Sequence, residues 1–253
     1  MNRLLRTALR TCGLYDVVVD LKHWLAGTDS QYLPFYSQFV HRGDLCFDIG
    51  ANVGHRTQVL LQLGASVVAV EPQQHCMARL RKKYGTDKRV ILIQEAVGET
   101  VGQGEMMICD SHSLSSLSGA WVKSVRSSGR YAQCNWSQSL KVRITTLDAL
   151  ISKYGQPAFI KIDVEGYEWE VLKGLSQSVR ALCFEFTPEF IDSAAQCVRH
   201  ISSLGPARFN YCLDAKPTTF CLPQWVNYDE MHNVLHSLGN GKQTGDIYAR
   251  SNV

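Results

Sequence analysis

Nine cysteines occur in 253 residues, yet the chain lacks a single C-x-x-C pair. Cys12, Cys46, Cys76, Cys109, Cys134, Cys183, Cys197, Cys212 and Cys221 are scattered, and several lie inside apolar runs. This excludes a zinc ribbon or a disulfide framework and fits small core residues in a reducing, cytoplasmic setting. An excess of one charge is missing too: 26 Lys+Arg against 23 Asp+Glu leave a formal +3. A nucleic-acid partner or a strongly acidic membrane would call for more. No apolar run is long enough to span a bilayer, and there are no repeats or low-complexity tracts. Arg6 and Arg10 interrupt the apolar residues Leu4, Leu5, Ala8 and Leu9, so the start of the chain does not read as a signal peptide. A basic amphipathic helix is expected there, capping the domain or touching a membrane surface.

What is present is an ordinary globular composition, 45% hydrophobic and 19% charged, in a length that suits one domain. Residues 1–40 read as an N-terminal helical cap with a break near Gly27 and a restart limited by Pro34; the main domain follows over 41–253. From Leu45 onward, short apolar runs at 45–49, 67–70 and 90–93 alternate with helical patterns. Such alternation predicts an α/β fold whose parallel sheet has helices on both faces. Residues 98–144 break the rhythm as an insert. Strands at 105–109 and 140–144 are expected to form an antiparallel hairpin around a polar loop or lid, 110–139. The pattern then resumes with a helix near 147–154, a strand at 159–163, a strand at 181–186 and a helix over 189–204. Antiparallel strands near 209–213 and 247–249 complete it, with Asp246 read as a turn residue.

The first strand runs into Asp48-Ile49-Gly50-Ala51-Asn52-Val53-Gly54, and the second ends in Glu71-Pro72. A strand, a glycine turn, a helix and a second strand ending in a carboxylate form a nucleoside pocket. There the acid accepts hydrogen bonds from both ribose hydroxyls. A dinucleotide fingerprint would place glycine where Asn52 stands, so that the backbone could touch pyrophosphate. This disfavours a nicotinamide oxidoreductase. S-adenosyl-L-methionine has no phosphate and carries positive charge at sulfur and amine, which suits Asp48 beside the turn.

Asp48, Glu71, Glu95 and Asp163 all fall at or just past strand carboxyl ends, where ligands collect in open α/β sheets. Asp163 could take the proton of an attacking hydroxyl, with Glu165 in the next turn as a second catalytic acid. The structural alternative for Asp163 is a cap on the helix near Tyr167. Lys161 shares the Asp163 face of its strand, and a buried ion pair is the ordinary account of it. Glu185, inside an apolar strand, needs a partner or an opening onto the cleft. A divalent ion on Asp163 and Glu165 has no evident third ligand, so no metal is expected. Ser115, Ser116 and His112 could meet a ligand or merely solvate the loop; Trp121, Tyr131 and Trp136 could stack on an acceptor or pack the loop down.

Taken together, these pieces resemble the FkbM family of methyltransferases. The resemblance rests on 48–54, Glu71-Pro72, Ala96-Val97-Gly98, Ser115-Ser116-Leu117, Thr146-Leu147-Asp148, 161–168 and Glu185, in the family's order over roughly residues 30–205. It implies a class I methyltransferase (Rossmann-like) fold, with a seven-stranded sheet whose last strand is antiparallel. It also implies O-methylation of a sugar, glycolipid or polyketide-type hydroxyl. Asp48, Gly50 and Asn52 would then hold the methionine end of the cofactor, Glu71 the ribose, and Glu95-Ala96 the adenine edge. A module that keeps the cofactor fold without turnover is the rival from another class.

Overall fold

The computed structural model describes residues 32–213 and 219–251. Most of the expected N-terminal cap, including its basic stretch, therefore lies outside the described residues. Its last part is a single turn, α1 (Leu33–Tyr36), with Pro34 in the first turn, where a missing N–H costs nothing. Among the described residues, no helix is long and apolar enough to cross a membrane. The described cysteines are free thiols, and all but Cys221 are buried.

The main sheet is built from β1 (Leu45–Ile49), β2 (Ser66–Val70), β3 (Val90–Ile93), β7 (Phe159–Ile162), β8 (Ala181–Phe186), β9 (Ala207–Leu213) and β10 (Gly245–Ser251), in the order β3-β2-β1-β7-β8-β10-β9. Five neighbouring strands are parallel, and β10 runs antiparallel between β8 and β9. This is the class I methyltransferase sheet. Chain order reverses between β1 and β7, and a crevice forms at the carboxyl ends beside such a switch.

Burial explains the near-continuous apolar strands. Alternate residues feed two cores, one on each face. Phe47, Ile49, Val68, Val70, Ile160 and Ile162 pack toward α5 (Leu147–Tyr154), α6 (Glu168–Lys173), α7 (Ile191–Ser203) and α8 (Tyr228–Leu238). Cys46, Val67, Ala69 and Phe159 pack toward α1, α2 (His55–Gln62) and α3 (Gln74–Tyr84).

The insert forms a second sheet, β4 (Ala96–Val97), β6 (Trp136–Thr145) and β5 (Gly102–Cys109), in the order β4-β6-β5. Strands β5 and β6 make the expected antiparallel hairpin, and β4 adds a parallel edge. The stretch 110–139 is not an open lid. It holds a 3₁₀ turn (His112–Leu114), helix α4 (Gly119–Ser127) and the start of β6. Trp121, Val122 and Val125 give α4 a buried face at helical spacing, and Ser118 accepts the Trp121 N–H as its cap.

Candidate cofactor and methyl-transfer site

A hollow opens at the carboxyl ends of β1, β2, β3 and β7, the place where open α/β sheets collect ligands. Gly50, Asn52, Glu71, Pro72, Glu95, Ala96, Asp163 and Glu165 all line it, from four separate stretches of chain. Asp48 and Gly54 do not. Asp48 shares a strand face with Cys46, so its buried carboxylate turns toward α2, where Thr57 Oγ1 donates to Oδ2 at 2.5 Å. It braces the turn from beneath, and burial pushes its carboxyl up. Gly54 starts α2 with φ +86, its bare Cα packed against Tyr84 and Leu80.

The β1 turn is tightly determined. Gly50 has φ +78, and a Cβ there would lie 1.8 Å from the carbonyl oxygen of Asp163. Asn52 takes φ +50, a left-handed conformation that asparagine tolerates better than most residues. That conformation points its backbone N–H at Glu71 Oε2, 2.9 Å away, while Gln73 N donates to Oε1 at 2.8 Å. A carboxylate has about four acceptor positions, so about two remain for a ligand. Beside it, the buried Gln73 Oε1 has no hydrogen-bond partner and lines the same hollow. Gln73 was not singled out from the sequence, although it directly follows the Glu-Pro pair.

On the opposite wall, the turn after β7 bends through two left-handed residues, Glu165 at φ +56 and Gly166 at φ +83. Glu168 Oε1 accepts the N–H groups of Val164 and Gly166, each at 3.2 Å. Tyr167 occupies the cap position of α6 without a side-chain cap, so Asp163 is free of the capping role. Gly166 lacks a side chain because the Trp121 ring lies on it; a Cβ would sit 2.1 Å from Trp121 Cγ. The indole Nε1 donates to Thr187 Oγ1 at 3.1 Å, and Trp136 Nε1 donates to the Leu114 carbonyl at 2.8 Å. Trp121 therefore fastens the insert to the domain, while Trp136 ties the insert together internally. The fastened segment presents His112, Ser113 and Ser115 to the hollow, where Ser115 also accepts the Cys109 N–H. Ser116 donates to the Glu165 carbonyl at 2.6 Å.

Carboxylates gather behind this wall. Oxygens of Asp163, Glu165 and Glu185 lie within 4.8 Å of one another, so Glu185 supplies the third acid that the sequence did not show. Such a group could hold a cation, an ammonium or a set of hydroxyls. Burial, followed by mutual repulsion, pushes Glu165 and Glu185 well above the usual carboxylate range. The expected ion pair of Lys161 is present: its Nζ is 3.4 Å from Asp163 and 2.9 Å from Asp246. Asp246 is not a turn residue but a buried member of β10, opposite Glu185. Burial pulls the Lys161 pKa down, but Asp163 and Asp246 more than offset it and leave it raised. Glu95 meets Arg143 at 3.3 Å on the rim.

These shifts fix a pH dependence. Burial raises Glu71 and Glu168 from 4.5 to about 7, against the amide donors that each accepts. Between those values the folded chain keeps protons that the unfolded chain has lost. Stability therefore falls as pH rises from about 4.5 to 7 and then levels. Thermal unfolding of the ligand-free protein should show a midpoint several degrees lower at pH 7.5 than at pH 5.5. A midpoint that climbs over that interval would contradict the shifts.

Comparison with known proteins agrees with this arrangement. A family model described as the methyltransferase FkbM domain matches residues 48–240. A chloroplastic ribosomal RNA small subunit methyltransferase of Arabidopsis thaliana is 28% identical over 105 residues, which is 41% of this chain and 31% of that protein. The match thus spans about a third of that relative. Among solved structures, precorrin-6y C5,15-methyltransferase from Geobacter metallireducens GS-15 superposes with a TM-score of 0.46 at 10% identity, covering 90% of this chain and 87% of the other. The O-methyltransferase from Bacillus cereus in complex with SAH gives 0.44 at 12% identity, covering 90% and 81%.

Proposed function

Since the chain belongs to the FkbM methyltransferase family, we propose that it uses SAM to methylate a hydroxyl of a sugar-like or polyketide-type small molecule. The observation that carries the reading is the shared hollow. Glu71 with two acceptor positions to spare, the Asn52 turn and Asp163 all face it. The cofactor, when bound, supplies a methyl group on a positively charged sulfur. The residues fit that group: Glu71 accepts from the ribose hydroxyls, and the orphaned Gln73 Oε1 offers one more acceptor beside it.

Acceptor chemistry falls to the other wall. Asp163, held by Lys161, takes the proton of the attacking hydroxyl. Glu165 and Glu185, whose pKa values burial raises, offer hydrogen-bonding partners to neighbouring hydroxyls of a polyol. Trp121, Tyr131 and Trp136 keep the insert packed, which limits water in the cleft. A balanced +3 charge and an acid-lined hollow speak against a polyanionic acceptor such as RNA.

The test is transfer of tritiated methyl from labelled cofactor into fractionated glycans, lipids, small metabolites and RNA. Label should enter a hydroxyl-bearing small molecule or glycan; label confined to RNA would overturn the reading. Asp163→Asn should lower kcat by about 10²–10⁴ while leaving cofactor affinity nearly unchanged. An Asp163→Asn enzyme of normal kcat would remove that residue from proton transfer. Because Glu71 accepts best when ionised, cofactor binding should tighten as pH rises through about 7.

A further inference from the structure

Outside the methyl-transfer wall, three metal-ligating side chains meet beside the hollow, and one of them, His112, lines it. His75 and Cys76 lie in the first turn of α3, and His112 begins the 3₁₀ turn of the insert. One ligand atom from each falls within 4.8 Å of the other two. Cys76 Sγ is 3.2 Å from His75 Nε2, and the two imidazole rings are 5.4 Å apart at 64°. In a tetrahedral zinc site, Zn–N bonds of about 2.0 Å and a Zn–S bond of about 2.3 Å separate ligand atoms by roughly 3.4–3.6 Å. Small side-chain rotations reach that spacing.

We propose that His75, Cys76 and His112 form a binding site for zinc or a similar soft divalent ion, bridging α3 to the insert. One thiol and two imidazoles are donors that select zinc over magnesium or calcium. The cysteine binds as thiolate, so its proton passes to solvent as the metal enters. Position favours this: Cys76 stands in the first turn of an 11-residue helix, where exposed N–H groups stabilise negative charge. Support from surrounding groups is in place. The Gln73 amide donates to the His112 carbonyl at 3.0 Å, fixing the 3₁₀ turn against α3. The Asn52 side chain reaches Cys76 Sγ at 3.5 Å, and its amide, turned over, would donate to the thiolate. Asn52 also donates its backbone N–H to Glu71. A bound ion would therefore fasten the insert across the hollow and stiffen the ribose-binding turn. Three protein ligands leave a fourth position for water or a ligand group.

Cobalt(II), added to the reduced, metal-free full chain, reads the site directly. One equivalent should give the visible bands of a tetrahedral ion together with a near-ultraviolet thiolate-to-cobalt band. Cys76→Ser should abolish the latter. His75→Ala, at an exposed position that tolerates truncation, should weaken cobalt binding by about tenfold or more, as should His112→Ala. The second cysteine-bearing group, Cys109, Asp110 and Cys134, provides the control, and Cys134→Ser should leave the spectrum unchanged. Absence of a thiolate band overturns the proposal. So does a band that survives in folded Cys76→Ser and His75→Ala or is lost only in Cys134→Ser.

Discussion

Gly50→Ala is expected to unseat the turn on which the hollow depends. Its φ of +78 is left-handed, which costs an L-residue about 1–2 kcal/mol. The added methyl would also stand 1.8 Å from the Asp163 carbonyl oxygen, and that atom belongs to backbone held by the Asp163 N–H to Ile49 carbonyl bond, 2.9 Å. It cannot rotate away as a side chain would. Forcing extra volume into a packed site adds about 1–3 kcal/mol. The total, about 2–5 kcal/mol, should appear as a lower urea midpoint with little change in slope. The same shift separates Asn52 from Glu71, so affinity for S-adenosylhomocysteine should fall sharply in whatever fraction stays folded. A variant with both the wild-type midpoint and wild-type affinity would show that the close approach of β1 and β7 is not a constraint.

Lys161→Met should be about as damaging, for a different reason. Lys161 is a buried cation between Asp246 and Asp163, and methionine nearly matches its length. Truncating one partner of a buried pair costs about 3–5 kcal/mol, because the remaining charge is left without compensation. The stranded charge is chiefly that of Asp246, since Asp163 is about 40% exposed and can turn to water. One consequence separates this from a packing defect. The double variant Lys161→Met with Asp246→Leu should recover much of the stability, while either single change alone should not. Strict additivity in the double variant would argue against the charge account.

Much of this was legible in the sequence, for physical reasons that differ by element. Parallel strands buried on both faces are apolar throughout, so β1, β2, β3, β7 and β8 stood out together with the turns that end them. The convergence of Glu71, Asn52 and Asp163 followed from that placement. Asp48 was harder, because a residue at a strand end can face the cleft or the helix beneath, and only strand parity relative to the core decides. Asp246 and Lys161 are 85 positions apart and become partners only through the long return of β10 between β8 and β9. No local pattern records that.

Other misses left readable signals. In the insert, Ser and Gly content masked the helical spacing of Trp121, Val122 and Val125. Helix α8 was overlooked although Asn227-x-x-Glu230 ahead of Met231, Val234 and Leu235 is a capping box. Asn227 Oδ1 accepts the Glu230 N–H at 3.0 Å, and Glu230 Oε2 accepts the Asn227 N–H at 2.9 Å. Composition was weighed there where period should have been.

The central claim is that a nucleoside with a cationic methyl donor lies across the strand tips with its ribose on Glu71. Calorimetry of wild type and Glu71→Gln with S-adenosylhomocysteine, and of wild type with NAD, tests it most directly. Wild type should bind S-adenosylhomocysteine at one site, and Glu71→Gln should bind about 10- to 150-fold more weakly, the equivalent of losing hydrogen bonds to a charged acceptor worth about 1.5–3 kcal/mol. Equal affinity in the two proteins, or NAD binding with no response to S-adenosylhomocysteine, would contradict it.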